Sequence, residues 1–285
     1  MTFLDNTNKQ TTIAQSVSYT GIGLHSGKSA TVVFEPLPSD SGVIFVRSDL
    51  PDKPQIPARA AFVSATMRAT TLKNQGQEVF TVEHIMAALF ISGIDNCLVE
   101  LDGPEPPAAD GSALPFIDLL QESGVVQQDK EREIFRLDKS LSVYDGERYV
   151  IALPYDGQRF SFLSLNNHPL LGTQYFDVEV GKTDLKKEIA PARTIAFMHE
   201  VESLKKMGLG LGGSMENVII YDEKKVLTPL RFEDELVRHK LLDLLGDISL
   251  AKKFFGHVIA VKAGHALNTA LAAQIAEYIQ KGEKF

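Results

Sequence analysis

The sequence predicts an α+β protein made of two similar halves, in each of which strands are followed by helices. Strand-like segments precede helices in both halves of the 285-residue chain. Each half has a helix that carries a histidine, His84 or His239, and a similar short segment (109–114 and 262–267) after the next strand. Two α+β layers that face each other place such helices at their interface, where clefts commonly form.

The first half begins with strands and ends with two helices. Between residues 11 and 72, β-branched segments are broken by Gly and Pro, which is typical of strands joined by turns. Thr81 precedes an apolar helical segment and is the expected N-cap. The charged run 127–133 predicts a linker, so the expected domains are 1–128 and 134–285. The expected elements are strands at Ala30–Phe34, Val43–Val46 and Cys97–Leu101, and helices at Val82–Ser92 and from about Ser112.

The second half repeats the order of strands and then helices, around one insert. The insert is expected to contain a helix at 195–207 and a strand at 217–221. Apolar residues at helical spacing predict a long helix around His239. The other expected elements are strands at Ile134–Leu137, Leu141–Tyr144, Arg148–Leu153, Phe160–Leu165, Thr173–Val178 and His257–Lys262, and helices at Glu233–Leu250 and Ala266–Ile279.

Composition excludes several classes of protein. The hydrophobic fraction of 44% and charged fraction of 23% are those of a globular protein in water. The single cysteine, Cys97, excludes an intramolecular disulfide and a Cys-rich zinc site. The net charge of −8 argues against a nucleic-acid partner. Residues 1–10 do not resemble a signal peptide, and no apolar run approaches the roughly 20 residues that span a bilayer. We therefore expect a cytoplasmic protein without an integral membrane segment.

The segment His239–Asp243 places an imidazole and a carboxylate on one face of a helix. The two side chains could form a surface hydrogen-bonded pair or ligate a divalent metal. His84 favours the metal, because a catalytic zinc site uses three N or O ligands and an open fourth position. His84, His239 and Asp243 supply such a set, so we expect one catalytic zinc ion per chain. Iron and cobalt accept the same ligands.

Two further groups have the chemistry of a general base and a general acid. The side chain of Glu83 projects about 100° away from that of His84 and could reach a water molecule at the metal. Alternatively, Glu83 is only an acidic residue in the first turn of a helix. His265, at the start of a helix, could cap it or donate a proton to a leaving amine, with Asp247 as the carboxylate that raises its pKa. His25, in a glycine-framed turn, is a further candidate for the cleft.

The segment Gly208–Gly213 matches the Gly-x-Gly-x-x-Gly pattern of dinucleotide-binding proteins. That fingerprint requires a strand before the glycines and a helix after them. Here the order is reversed, since a helix is expected at 195–207 and a strand at 217–221. We therefore expect these glycines to end a helix and form a tight turn, and no nicotinamide cofactor is expected.

Seven segments, in order along almost the whole chain, match the motifs of one family. They are Gly21–Gly27, Thr81–Leu89, Asp110–Ala113, Ala192–Thr194, Leu211–Ser214, Arg231–Asp247 and Gly264–Asn268. With these motifs the sequence resembles the zinc-dependent UDP-3-O-acyl-N-acetylglucosamine deacetylases, which carry out the committed step of lipid A synthesis. The resemblance implies two similar α+β domains, each a sheet with a helix pair, packed with the helices inward around a metal site. It also implies hydrolysis of the substrate's acetamide to an amine and acetate.

The resemblance also implies a role for each candidate in the site. It assigns His84, His239 and Asp243 as zinc ligands, Glu83 as general base, His265 as general acid, Asp247 as support for its charge and Thr194 as a hydroxyl donor to the oxyanion. It implies that Lys240 and Lys262 bind the nucleotide phosphates. It further implies that the insert of the second domain forms an apolar passage for the acyl chain, lined by Ile195, Val201, Met215 and Ile220.

The resemblance has one departure and leaves two alternatives. Before His168-Pro169 the family commonly has an aromatic side chain that stacks on the uracil, whereas this chain has Leu165–Asn167. The expected partner is the UDP-sugar substrate, bound by a monomer in the cytoplasm or peripherally at the inner membrane. The alternatives are a zinc deacetylase for another acetamido sugar and a nucleotide-sugar or lipid binding protein without catalysis. Glu83 and His265 argue against the second alternative, because binding alone needs neither a base nor an acid.

Overall fold

The computed structural model describes residues 8–282, and within them the first half of the chain forms a five-stranded sheet, a three-stranded sheet, a two-stranded ribbon of its first and last strands, and two α-helices. Its strands are β1 (Lys9–Ile13), β2 (Val17–Ile22), β3 (Ser29–Pro36), β4 (Val43–Arg47), β5 (Gln55–Pro57), β6 (Val63–Ala65), β7 (Thr71–Asn74), β8 (Gln77–Phe80), β9 (Cys97–Leu101) and β10 (Val125–Glu131). Its helices are α1 (Glu83–Ile91) and α2 (Leu114–Glu122). The main sheet has the order β2-β3-β9-β4-β5, and β6, β7 and β8 form the small sheet.

The second half forms a six-stranded sheet, a two-stranded insert and four helices. Its strands are β11 (Phe135–Arg136), β12 (Leu141–Asp145), β13 (Arg148–Leu153), β14 (Gln158–Leu165), β15 (Thr173–Glu179), β16 (Ile195–Phe197), β17 (Ile219–Tyr221) and β18 (Phe254–Val261). Its helices are α3 (Leu185–Glu188), α4 (Met198–Lys206), α5 (Glu235–Ile248) and α6 (His265–Gly282). The main sheet has the order β12-β13-β18-β14-β15, with β11 beside β18, and the insert pairs β16 with β17.

The two main sheets share one topology. In each sheet the last strand in sequence, β9 or β18, is central, with an antiparallel neighbour (β3 or β13) on one side. Its other neighbour, β4 or β14, is parallel and continues to an antiparallel edge strand. One helix precedes each central strand and one follows it. The predicted α+β class is confirmed, while the boundary between domains 1–128 and 134–285 stays a prediction.

Helices α1 and α5 pack directly against each other. Helix α1 is apolar on nearly all sides, and all of its residues except Phe90 are buried, as expected of a helix inside a protein. The close approach requires Gly246 on α5, since a Cβ added there would lie 2.1 Å from the Glu83 carbonyl oxygen. This contact brings the polar first turn of α1, with Glu83 and His84, against the middle of α5.

Gly246→Ala is expected to destabilise the fold by about 1–3 kcal/mol, as overpacking of a core does. The methyl group would meet backbone rather than a flexible side chain, so the two helices have to move apart. Thermal unfolding checks this result. Gly103→Ala is the control, because a Cβ at Gly103 has no neighbour within 4 Å, and its midpoint should shift little. Equal midpoints for the two variants would contradict the packing argument.

Three local predictions are wrong. Thr81 does not cap α1, because its φ is +58° and its hydroxyl donates to Glu105 instead. The charged run 127–133 was expected to be a linker, but its residues up to Glu131 belong to β10, which pairs antiparallel with β1. The charged side chains are tolerated there because most residues of β10 are exposed. The segment 195–207 begins as a strand, since Ile195–Phe197 pairs with Ile219–Tyr221.

The prediction for the glycine-rich segment is confirmed. The glycines of 208–213 follow the end of α4, and Gly208 and Gly210 have φ of +74° and +66°, so they form a helix end and turn rather than a dinucleotide fingerprint. Within residues 8–282, no helix combines the length and apolarity that crossing a bilayer requires. The first seven residues, part of the segment compared with a signal peptide, lie outside the described residues.

Candidate metal centre and active site

Three buried side chains from two helices converge on one point. His84 lies in the first turn of α1, and His239 and Asp243 lie one turn apart on α5. Asp243 Oδ1 is 3.4 Å from His239 Nε2 and 3.7 Å from His84 Nε2. One ligand atom of each residue lies within 4.8 Å of the other two, a spacing that one ion about 2 Å from each atom can fill. The predicted ligands lie together, and their chemistry and geometry fit a divalent metal.

The charges of the ligand groups suit metal binding. Burial lowers the pKa of His239 to about 3, so its imidazole is neutral. Its Nδ1 lies 3.2 Å from the Ala192 carbonyl, and a proton donated there leaves the Nε2 lone pair for a metal. Burial raises the pKa of Asp243, but His239 and Lys240 outweigh burial and hold that pKa well below its usual range. Neutral imidazole and ionised carboxylate are the ligating forms.

A buried ion pair holds the carbonyl that orients His239. Arg193, the residue after Ala192, donates from Nε to Glu235 Oε1 at 2.9 Å, and their side chains are 7% and 0% exposed. The backbone N–H of Arg193 donates to the same oxygen at 3.1 Å. Because Glu235 begins α5, this pair ties the Ala192 carbonyl to the helix that carries His239.

Glu83 lies next to the ligand set as the first residue of α1 and is only 3% exposed. Its Oε2 accepts a hydrogen bond of 3.0 Å from the backbone N–H of Thr70. Burial raises the pKa of Glu83, and the charges of Asp247 and Asp243 add to this rise, against the effect of the histidines. A buried carboxylate with a raised pKa is suited to accept a proton and later release it.

His265 and Asp247 form a buried pair at the start of α6. His265 Nδ1 lies 2.9 Å from Asp247 Oδ2. Burial by itself lowers the pKa of His265, but Asp247 and Glu83 outweigh burial and raise it to about 10. Asp247 also accepts hydrogen bonds from Asn268 Nδ2 at 2.9 Å and Thr70 Oγ1 at 2.6 Å. The imidazole is therefore a cation near neutral pH, which is the form that donates a proton.

Thr194 lies two residues after the carbonyl that orients His239. Its backbone N–H donates to the Gly111 carbonyl at 2.9 Å, and its own carbonyl accepts from the Ile219 N–H at 2.8 Å. Gly111 has to be glycine, since its φ is +84° and a Cβ would lie 1.7 Å from the Asn217 carbonyl oxygen. Thr194 is half-buried, and its role toward an oxyanion remains a prediction.

The two lysines predicted to bind phosphate have different environments. Lys240 Nζ donates to Asp243 Oδ2 at 2.9 Å. Burial lowers the pKa of Lys240, but Asp243 outweighs burial and raises it, so Lys240 is a cation that neutralises a ligand carboxylate. Lys262 Nζ pairs at 2.9 Å with Glu147, whose side chain is 86% exposed. Lys240 therefore contacts a candidate metal ligand, whereas Lys262 contacts an exposed glutamate. The phosphate-binding roles of both lysines remain predictions.

The four apolar residues predicted for the acyl chain differ in exposure. Ile195 on β16 packs against a small buried cluster that is separate from the main core. Ile220 on β17 and Val201 on α4 are half-buried, whereas Met215 is 53% exposed. The separate cluster consists of Leu171, Ile219, Tyr221 and Leu236. Thus Ile195 has a packing role of its own, and a common passage lined by all four remains a prediction.

Glu105 is a supporting residue that the sequence reasoning missed. It is 2% exposed, and its carboxylate accepts hydrogen bonds from the backbone N–H of His25 at 2.7 Å and of Ser26 at 2.8 Å. Its Oε1 also accepts from the Thr81 hydroxyl at 3.2 Å. Glu105 therefore holds the glycine-framed turn against the segment that leads into Glu83. The feature of the sequence that could have indicated this role is an acidic residue within the Pro-rich loop 104–107.

His25, the candidate for the cleft, lies in that turn and is 9% exposed. Its Nδ1 accepts a hydrogen bond of 3.3 Å from the Gly210 N–H, and within residues 8–282 no protein group bonds its buried Nε2. Burial lowers the pKa of His25, and the charges of His84 and His265 act on it. His25 is therefore close enough to the centre to interact with it electrostatically.

One small cavity lies beside His84. A cavity of about 10 Å³ is bounded by His84, Thr81 and Gly111, which is about the space for one water molecule. A cleft of about 610 Å³ lies elsewhere, beside Asp95 and Lys253, and none of the three candidate ligand residues lines it. We therefore identify the site by its chemistry rather than by the size of an opening.

Asp243→Ala is expected to weaken divalent-metal binding by more than the roughly 100-fold that loss of an outer partner costs. The substitution removes the only carboxylate of the ligand set and leaves Lys240 as a cation beside it. Elemental analysis of the metal that each variant retains after dialysis measures this effect, and Asp234→Ala, at the start of the same helix but outside the ligand set, is the control. Full retention of metal by Asp243→Ala would rule out this residue as a ligand.

The chain is similar to known proteins along most of its length. The sequence model of a family described as UDP-3-O-acyl N-acetylglycosamine deacetylase matches residues 10–277. A protein of Myxococcus xanthus (strain DK1622), named UDP-3-O-acyl-N-acetylglucosamine deacetylase, is 46% identical over 269 residues, which cover 93% of this chain and 86% of that protein. Proteins of the same name are 45% identical in Anaeromyxobacter dehalogenans (strain 2CP-C), covering 93% and 87%, and 42% in Pseudomonas entomophila (strain L48), covering 94% and 90%. The chain belongs to the UDP-3-O-acyl N-acetylglycosamine deacetylase family.

Proposed function

We propose that the chain hydrolyses the acetamide of UDP-3-O-acyl-N-acetylglucosamine and releases acetate and UDP-3-O-acyl-glucosamine, the committed step of lipid A synthesis. Family membership and the names of the relatives support the substrate. The observation that carries the reaction type is a buried base and a buried cationic acid beside three side chains that can hold a metal. A protein that only binds the substrate would need the metal-holding side chains at most, and it would need neither the base nor the acid.

The ion that we propose is zinc, one per chain, held by His84, His239 and Asp243. Bound there, zinc polarises the amide carbonyl and lowers the pKa of a water molecule. The same two imidazoles and carboxylate accept iron or cobalt, so the metal content of the purified protein identifies the ion. Lys240 reduces the negative charge of Asp243 and orients its carboxylate.

Glu83 is the general base in this proposal. It takes a proton from the attacking water as the carbon–oxygen bond forms. The hydrogen bond from the Thr70 N–H fixes one carboxylate oxygen, which limits rotation of the group that has to meet the proton. Its position in the first turn of α1, next to His84, brings the base to the ligand set.

His265 is the general acid, and Thr194 stabilises the oxyanion with its hydroxyl group. His265 donates its proton to the amide nitrogen as the carbon–nitrogen bond breaks, so that an amine leaves rather than an amide anion. Asp247 keeps the imidazole charged and oriented through the 2.9 Å contact. A hydroxyl directed at the forming oxyanion is stabilising where water is excluded.

The substrate's outer parts would contact residues around this centre. Lys240 and Lys262 meet the phosphates as ammonium point charges, and Glu147 is sufficiently exposed to release Lys262. The acyl chain lies along the insert, against Ile195, Val201, Met215 and Ile220. We propose that the protein acts as a monomer in the cytoplasm or at the inner face of the membrane.

The test is metal analysis of the purified protein together with an assay for acetate release from the UDP-3-O-acyl sugar. We expect about one zinc ion per chain and turnover that a chelator abolishes and zinc restores. Activity of fully metal-free protein would exclude the mechanism. A substrate without the acyl chain separates the alternatives: unchanged turnover would indicate a deacetylase for another acetamido sugar, and tight binding without acetate release would indicate a binding protein.

A further inference from the structure

Thr70 contacts both the base and the group that holds the acid. Its backbone N–H donates to Glu83 Oε2 at 3.0 Å, and its hydroxyl donates to Asp247 Oδ1 at 2.6 Å. Its carbonyl accepts a hydrogen bond of 3.4 Å from the Val82 N–H, at the start of α1. Thr70 is fully buried. One residue therefore ties the first turn of α1 to a carboxylate on α5.

The Asp247 carboxylate has donors at both of its oxygens. Oδ2 faces His265 Nδ1 and Asn268 Nδ2, each at 2.9 Å, and both come from α6. The hydroxyl of Thr70 is on Oδ1. Without that hydroxyl the contacts to α6 remain, but the hydrogen-bonded link to the Glu83 side of the site is lost.

Packing alone does not explain why a hydroxyl group is present at Thr70. The position is fully buried, where an apolar side chain of the same shape would pack without the need for a partner. Here the hydroxyl is directed at a buried carboxylate that also bonds the cationic His265. Hydrogen bonds to charged groups are shorter and stronger than those between neutral groups.

We propose that Thr70 is a positioning residue that fixes the Glu83 and Asp247 carboxylates relative to each other, so that the base and the His265 acid act on one substrate at a set separation. This inference rests on the proposed function and adds a residue to it. Misplacement of a reacting group by about 1 Å can cost roughly 100-fold in rate. Loss of the Thr70 hydroxyl therefore affects turnover more than substrate binding.

The experiment compares Thr70→Val, which keeps the size and backbone N–H but removes the hydroxyl, with Thr70→Ser, which keeps both donors. For Thr70→Val we expect kcat to fall by about 10- to 100-fold, with KM and zinc content little changed. Thr70→Ser should recover most of the lost turnover. The matched control is Thr12→Val, because Thr12 is also buried and its hydroxyl donates to the Asn96 carbonyl at 2.6 Å. It should keep the wild-type kcat.

A double substitution tests whether Thr70 acts through Asp247. In the Asp247→Asn background, Thr70→Val should reduce kcat much less than it does alone, because groups that act as a unit are non-additive. Equal effects in both backgrounds, or a kcat within twofold of wild type for Thr70→Val, would overturn the inference. Neither result would affect the proposed function, which is tested separately by acetate release from the wild-type protein with and without the acyl chain on the substrate.

A measurement on the unaltered zinc protein decides the matter if Thr70→Val does not fold. A hydroxyl proton held between Thr70 and the Asp247 carboxylate should exchange slowly with water and give its own NMR resonance. That resonance should move in Asp247→Asn, together with the Nδ1 proton of His265. A rapidly exchanging Thr70 hydroxyl in the wild-type protein would overturn the inference, whatever the kinetics of the variants.

Discussion

Glu83→Gln is expected to lower kcat by about 10²–10⁴-fold, the usual contribution of a general base. The amide has nearly the same shape as the carboxylate, and its oxygen can still accept the hydrogen bond of the Thr70 N–H. It cannot take up a proton from the attacking water. Zinc content should stay at the wild-type level, because Glu83 is outside the set of three side chains that converge on the metal position.

The measurement is acetate release, with the metal content of the same samples determined in parallel. Glu122→Gln is the control for loss of one negative charge, because Glu122 is exposed at the end of α2. It should leave kcat unchanged. If Glu83→Gln lost its zinc, the residue would belong to the metal site, and if it kept full activity, another group would have to be the base.

The convergence of the three proposed metal ligands could be predicted because it depends on local spacing. His239 and Asp243 are one helical turn apart, so any helix there places them on one face. His84 is on a second helix, and its approach to the first requires only that the two helices face each other. The contact between Asp247 and His265 was predicted in the same way, from one helix face and one helix start.

The supporting residues could not be predicted because their partners are distant in sequence. Thr70 and Asp247 are 177 residues apart, and Glu105 bonds the turn at His25 from 80 residues away. Threonine at a strand end and glutamate in a loop are ordinary residues there, so neither indicates its partner. Arg193 and Glu235 likewise meet across two segments. Hydrogen bonds of this kind follow from the tertiary fold rather than from a local pattern.

The errors in the fold have a related origin. Residues 127–133 were predicted to be a linker because of their charges, yet residues up to Glu131 belong to β10 and pair with β1. A charged residue indicates that its side chain faces water, but it does not distinguish a strand from a linker, because both can have exposed side chains. Thr81 has the composition of an N-cap, but its backbone takes a positive φ that an N-cap does not have. In both cases the backbone conformation depends on a partner elsewhere.

His265→Gln is expected to reduce kcat by about 10²–10⁴-fold and to change the pH dependence of the reaction. His265 has to be protonated to act, so wild-type kcat falls as pH rises through its pKa, which Asp247 and Glu83 raise to about 10 against the effect of burial. Glu83 has to be ionised, so kcat falls as pH falls through its pKa, which burial raises. A bound divalent cation opposes protonation of both groups and moves both limbs to lower pH.

The fall of kcat at high pH, the basic limb of the pH profile, shows whether His265 acts as an acid or only packs in the site. His265→Gln removes the titrating imidazole, so the remaining kcat of this variant should not fall as pH rises through that range. Asp247→Asn keeps the imidazole but removes the carboxylate that does most to raise its pKa, so the basic limb should move to lower pH. Zinc content should be unchanged in both variants. If the limb persisted unchanged in His265→Gln, another group would be the acid, and the 2.9 Å contact between His265 and Asp247 would have only a structural role.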